Sequence, residues 1–232
     1  MKKTLKISLS MMCTSYLDLR EDLDLFIKHK IDYLHIDIMD GHYVPNFSIG
    51  IDFCKAVYTY SRIPLDIHLM IEEPDRYIEI FSRFENSIIS IHPETCYQPL
   101  GTIQEIKECK VKAGIAISPS ISFESVKHLI PHLDMVNVMT VHPGYAGQRL
   151  FKPALMKLRK VSGYIEENDF GTEVEVDGNV SWRNLPGMIE AGADVFVAGT
   201  SSIFERDGSL EQNVTRFRKI LDKAGNFNLN EN

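Results

Sequence analysis

Eight times along the chain, a short run of apolar and β-branched residues gives way to a longer amphipathic one. Strands are expected at Leu5–Ser10, Tyr33–Ile38, Leu65–Leu69, Ser87–Ile91, Lys112–Ile117, Met135–Thr140, Thr172–Val176 and Val195–Ala198. Helices are expected at Leu17–His29, Asp52–Tyr60, Pro74–Phe81, Thr102–Cys109, Phe123–Ile130, Pro153–Glu167, Asn184–Glu190 and Leu210–Ala224. The first helix shows the pattern well, with Leu19, Leu23, Phe26 and Ile27 on one face. Strands that alternate with helices form parallel sheets, because a parallel neighbour needs a crossover. Eight such units with no break in composition favour a closed barrel over an open sheet. The 232 residues fit one domain, 1–232, with a substantial core. The polar tail NFNLNEN is expected to fray.

Charge narrows the partners. Lys and Arg total 25 against 32 Asp and Glu, a net charge of -7, which argues against nucleic acid. A small anionic ligand needs only a local pocket and stays open. Cysteines 13, 54, 96 and 109 form no C-x-x-C pair, so they read as reduced thiols of a cytoplasmic protein. No apolar run reaches membrane-spanning length. MKKTLKISLSMM resembles a signal peptide only in its lysines. Lys6 and the serines interrupt the apolar region, and no A-x-A-like site follows, so a first strand is the better reading.

The stretch HIDIMDG, residues 35–41, sets two polar side chains in an apolar run and then breaks at Asp40-Gly41. Alternate strand residues share a face, so His35 and Asp37 point the same way. Asp66 with His68, and Glu175 with Asp177, repeat the arrangement. Ser10, His35, Asp37, His68, His92 and Asp177 all fall at or near C-terminal strand ends, which in a barrel gather around one mouth. Two imidazoles and two carboxylates suit a divalent transition metal. A buried Asp37–His68 hydrogen bond without metal is the alternative.

Five segments carry a resemblance. HIDIMDG, DIHLM (Asp66–Met70), HPGYAGQ (His142–Gln148), EVDG (Glu175–Gly178) and AGTSSIF (Ala198–Phe204) resemble the signature of the ribulose-phosphate 3-epimerase family. They occur in the family's order and spacing, from Ile7 to Phe204. The resemblance implies a single (β/α)8 TIM barrel of the ribulose-phosphate-binding type. It implies inversion at C3 of a small phosphorylated ketose, with one divalent metal ion per subunit (Zn, Mn, Fe or Co) on His35, Asp37, His68 and Asp177. Asp37 and Asp177 are then the acid/base pair. Ser10, His92, Met39, Met70 and Met139 are expected around the substrate, and a homo-oligomer is implied.

The chemistry accounts for these residue types. Removing the C3 proton beside the C2 carbonyl gives an enediolate, whose negative oxygens a metal can stabilise. Inversion needs one group on each face, one to remove the proton and one to return it. Methionines over this intermediate would exclude water, although a thioether is also ordinary core filling.

Three loops suggest the phosphate end: Gly144, Tyr145, Ala146 and Gly147 after strand six, Gly178 and Asn179 after strand seven, and Gly199, Thr200 and Ser201 after strand eight. Any one alone could be a turn, but three at adjacent strand ends point to backbone amides holding a phosphate. No G-x-x-x-x-G-K-[ST] is present, so nucleotide hydrolysis is not indicated.

HPET at His92–Thr95, MTV-x-PG-x-AGQ and GTSSIF resemble the D-allulose-6-phosphate 3-epimerase branch, which makes the six-carbon sugar the first expectation. D-ribulose 5-phosphate is the alternative. The chain departs from the common pattern at Asn179, where a second glycine is usual, at His142, and at Ser8-Leu9-Ser10, which replaces A-P-S. A decarboxylase would need a lysine at the strand ends, where this chain offers His and Asp. A non-catalytic sugar-phosphate-binding barrel would not need two opposed carboxylates.

Overall fold

A computed structural model describes residues 4–227. Its eight strands are β1 (Lys6–Ser10), β2 (Tyr33–Met39), β3 (Leu65–Met70), β4 (Ile88–Ile91), β5 (Lys112–Ile117), β6 (Met135–Met139), β7 (Glu173–Asp177) and β8 (Val195–Ala198). Each pairs in parallel with its neighbours in chain order, and β8 closes on β1. The helices are α1 (Leu19–Lys28), α2 (Ile51–Ser61), α3 (Ile78–Phe81), α4 (Pro99–Glu108), α5 (Phe123–Val126), α6 (Pro153–Glu167), α7 (Leu185–Glu190) and α8 (Leu210–Phe227). This is the expected (β/α)8 TIM barrel. Of the tail NFNLNEN, expected to fray, Asn226 and Phe227 belong to α8 and the rest lies outside the described residues. No helix among the described residues is long and apolar enough to cross a membrane.

Local chemistry explains where elements differ from the pattern. Helix α1 starts at Leu19, and Leu17 stays 97% exposed. The segment after Pro74 is a 3-10 turn, Pro74–Tyr77, leaving α3 four residues. The α5 segment tightens into 3-10 over Lys127–His132, where Pro131 has no amide hydrogen to give. Helix α4 begins earlier than expected, with Pro99 in its first turn, where a missing N–H costs nothing.

Two cores follow from the strands' two faces. Outward residues such as Ile7, Leu9, Leu34, Ile36, Leu65 and Ile67 pack under the helices with Phe26, Phe196 and Phe217, all buried. Each such side chain contributes about 1.5–3 kcal/mol on burial. Inward residues stack in layers by period two and by register. Tyr33, Ile88, Met135 and Val195 form an apolar floor. Above it come Ser8, Asp66, Gly114 and Glu175, then His35, Ser90, Asn137 and Val197. Branched aliphatic side chains commonly fill these levels. Here they are mostly polar, and they support the mouth.

Candidate active site and metal centre

His35 and Asp37 come from β2, His68 from β3 and Asp177 from the end of β7. One ligand atom from each lies within 4.8 Å of all the others. Asp37 Oδ1 is 3.2 Å from His35 Nε2 and 3.1 Å from His68 Nδ1. Asp177 Oδ2 completes the group 4.0 Å from His68 Nδ1. Two imidazole nitrogens and two carboxylates offer a donor set and a charge that fit a divalent transition metal. Burial pulls the Asp37 carboxyl upward, but His35 and His68 outweigh it and hold it well below the usual range. Asp177 goes the other way, raised by burial and by the charge of Asp37.

The layer below orients His35. Its Nδ1 donates to Asp66 Oδ2 at 2.6 Å, and Ser8 Oγ donates to the same oxygen at 2.7 Å. That leaves Nε2 for the centre. Burial and the charge of Asp66 push Glu175 far above the ordinary carboxylate range. As two carboxylates, Glu175 and Asp66 Oδ1 would lack partners; a proton on Glu175 lets it donate to Asp66.

Behind His68 stands His92, fully buried. The two rings meet Nε2 to Nε2 at 2.9 Å. His92 Nδ1 is 3.0 Å from the hydroxyl of Tyr43, which donates to Glu94 Oε1 at 2.8 Å. Burial drops His92 to about 4, so the ring is neutral at neutral pH.

Above the centre opens a cavity at the barrel mouth. Ser10, Asp37 and Asp177 form its base, with Met39, Met70 and Met139 beside them. Its other end is walled by Gly144, Tyr145, Ala146, Gly147, Gly178, Asn179, Gly199, Thr200 and Ser201, and neither Lys nor Arg lines it. Gly144 has φ +112° and Gly178 φ +105°, and a Cβ at Gly178 would come within 2.6 Å of Val141, while one at Gly144 would lie 3.1 Å from Val44. The Tyr145 hydroxyl donates to Pro45 O at 2.5 Å, and Asn46 Nδ2 donates to Gly144 O at 2.8 Å. These bonds fasten the β6–α6 loop to the β2–α2 loop.

Comparison with known proteins agrees with this architecture. The family model described as the ribulose-phosphate 3 epimerase family matches residues 6–204. The chain belongs to the ribulose-phosphate 3-epimerase family. It is 39% identical over 206 residues to a ribulose-phosphate 3-epimerase of Bacillus subtilis strain 168, covering 88% of this chain and 94% of that one. It is 36% identical over 218 residues to that of Escherichia coli K12, covering 94% and 93%. Among solved structures, 3-hexulose-6-phosphate synthase from Salmonella typhimurium shares the fold, with a TM-score of 0.67 and 15% identity over 95% of this chain and 100% of that one. The family and the donor cluster make this protein an epimerase of a carbohydrate phosphate.

The barrel brings together in this epimerase nearly all the residues singled out from the sequence. His35, Asp37, His68 and Asp177 converge, and the three loops share one cavity with Ser10 and the methionines. His92, expected around the substrate, is placed behind His68 and off the cavity wall. Asn179, a departure from the family pattern, has φ +48°, a region that asparagine tolerates better than most residues. Its Nδ2 donates to Gln148 O at 2.7 Å, and its Oδ1 accepts from Asn184 Nδ2 at 2.6 Å. Asp66 and Glu175 show in the sequence only as the inward partners of His68 and Asp177. Tyr43 gives no sequence signal and Glu94 shows only as part of HPET, because their contact spans 51 residues.

Proposed function

We propose that the protein interconverts D-ribulose 5-phosphate and D-xylulose 5-phosphate by inverting C3. The observation that carries this reading is that Asp37 from β2 and Asp177 from the end of β7 bring two carboxyls to one cavity. Two carboxyls at one site suit an acid and a base that exchange roles. The ionised carboxylate takes the C3 proton, and the protonated one returns a proton to the opposite face of the planar enediolate. The reverse reaction uses the same two groups with their states exchanged.

His35, Asp37, His68 and Asp177 would hold a divalent metal, which when bound supplies electrostatic stabilisation of the enediolate oxygens. Ser10 lies beside the reacting carbons. Met39, Met70 and Met139 exclude water from the intermediate while leaving the carboxylates free. At the far end, backbone amides of the Gly144–Gly147, Gly178–Asn179 and Gly199–Ser201 loops hold the phosphate without a cationic side chain. The arrangement is selective for a phosphorylated sugar whose C3 reaches the carboxylates once its phosphate is seated.

The five-carbon assignment rests on the relatives named ribulose-phosphate 3-epimerase. The comparisons give the allulose-6-phosphate branch no specific support. Within HPET, His92 faces His68 and Tyr43 and has no place on the cavity wall from which to read sugar length. The test is a side-by-side assay of C3 inversion on D-ribulose 5-phosphate and D-allulose 6-phosphate. A higher kcat/KM for the five-carbon sugar is expected; a higher value for the six-carbon sugar would move the protein to the other branch.

A further inference from the structure

The hydrogen-bond chain behind His68 has a direction, and that direction is fixed at its outer end. An ionised Glu94 can only accept. Tyr43 Oη, 2.8 Å away, therefore donates to it. The tyrosine oxygen then turns lone pairs toward His92 Nδ1 at 3.0 Å, so that nitrogen carries the ring hydrogen. His92 Nε2 is left as an acceptor and faces His68 Nε2 at 2.9 Å. His68 must then carry its hydrogen on Nε2. Its Nδ1 is a bare lone pair aimed at Asp37, 3.1 Å away, and Asp177, 4.0 Å away.

Tyr43 cannot easily leave this chain. Its amide donates to Asp40 Oδ1 at 3.1 Å, and the next residue, Val44, is buried against Met39 and Met70. Its ring lies 4.7 Å from the His92 ring, centroid to centroid, and the His92 ring stacks at 5.0 Å on that of His68. Partners of this kind outside the ligand set commonly fix the tautomer of a metal-binding histidine and tune its basicity.

We propose that Tyr43 and Glu94 are positioning residues that act through His92 to hold His68 in the tautomer presenting Nδ1 to the metal. This rests on the reading of His35, Asp37, His68 and Asp177 as a metal centre. It does not depend on which sugar is turned over. It assigns the glutamate of HPET a role at the metal rather than at the substrate.

The test is titration of the chelator-treated full chain with Co(II), following affinity and the visible ligand-field bands, beside thermal unfolding of the same chelator-treated proteins. Tyr43→Phe combined with Glu94→Ala removes both acceptors near His92 Nδ1 among the described residues and is expected to weaken Co(II) binding about 10–100-fold with altered bands. Tyr43→Phe alone is expected to lose less, because Glu94 Oε1, 3.4 Å from His92 Nδ1, can accept in its place. Co(II) binding by the double variant within about twofold of the parent, with unchanged bands, would overturn the proposal. So would a loss of affinity matched by a comparable loss of thermal stability, since that would put both residues in barrel packing alone. A parent that binds no Co(II) would bring down the metal-centre reading and this proposal together, whereas binding by the parent and double variant alike would bring down this proposal only.

Discussion

His35 Nδ1 and Asp66 Oδ2 lie 2.6 Å apart with both side chains wholly shielded from solvent. The bond sets which imidazole nitrogen faces the cavity. Asp66→Ala leaves the buried His35 Nδ1–H without its acceptor and frees the ring to turn. Metal affinity is expected to fall about 10–100-fold, and stability by about 1–3 kcal/mol for the unmet donor. Isothermal titration and chemical unfolding of the same variant check both effects; unchanged metal affinity would remove Asp66 from the centre's support.

Asp40 follows β2 and organises the mouth. Its Oδ1 accepts from the amides of His42 and Tyr43 at 2.8 and 3.1 Å, and its Oδ2 accepts from that of Glu72 at 2.9 Å. Burial would raise the carboxyl, but these three bonds outweigh it and hold it below the ordinary value. A depressed folded-state pKa contributes stability that is complete above the unfolded value. That stability is lost as pH falls through the folded one. Asp40→Ala should therefore destabilise the protein at neutral pH, with the difference from the parent shrinking as pH drops below the ordinary aspartate range. Urea unfolding at several pH values measures this, and a difference independent of pH would contradict it.

Asn179 stands where a left-handed backbone is needed and also ties the β7–α7 loop to Gln148 O. Asn179→Gly keeps the backbone and loses the tie. Asn179→Ala loses the tie and adds a left-handed cost of about 1–2 kcal/mol. We expect KM for the phosphorylated ketose to rise in both variants, more in the alanine variant, with kcat changed less than KM. A fall in kcat at constant KM would place Asn179 with the reacting carbons instead of the phosphate.

Metal removal gives a reading independent of turnover. A divalent ion bound only by the folded protein stabilises it by about 2.7 kcal/mol at a hundred times its Kd. For a chain of this size each kcal/mol is worth about 2–4 °C in Tm. Chelation should therefore lower Tm by about 5–10 °C and re-addition should restore it. An unchanged Tm would argue against a resident ion.

The barrel is legible in the sequence because each strand's β-branched run and each helix's apolar face is a local property. The metal set is legible for a related reason: H-x-D on β2, D-x-H on β3 and E-x-D on β7 share one period of two, and the closed barrel turns that period into layers. The support around the centre is less so. Alternation points Asp66 and Glu175 inward but does not show that Asp66 meets His35. Tyr43 and Glu94 meet only because two loops close over His92. His92 looks like a mouth residue by its place at the end of β4; its burial depends on His68 and Tyr43 covering it. The short α5 is a local failure of the helical pattern, caused by Pro131.

The central claim is that Asp37 and Asp177 work as two opposed acid/base groups at C3. The direct measurement is turnover of D-ribulose 5-phosphate in D2O by the metal-loaded parent and by Asp177→Asn, following deuterium position by NMR. The parent should form D-xylulose 5-phosphate with solvent deuterium at C3 and no deuterium on other carbons. Asp177→Asn should keep its fold, bind metal more weakly and lose most inversion, while Asp37 still exchanges the C3 hydrogen of one epimer without inverting it. Near-parent inversion in Asp177→Asn, or product that retains its original C3 hydrogen, would contradict the two-carboxylate account.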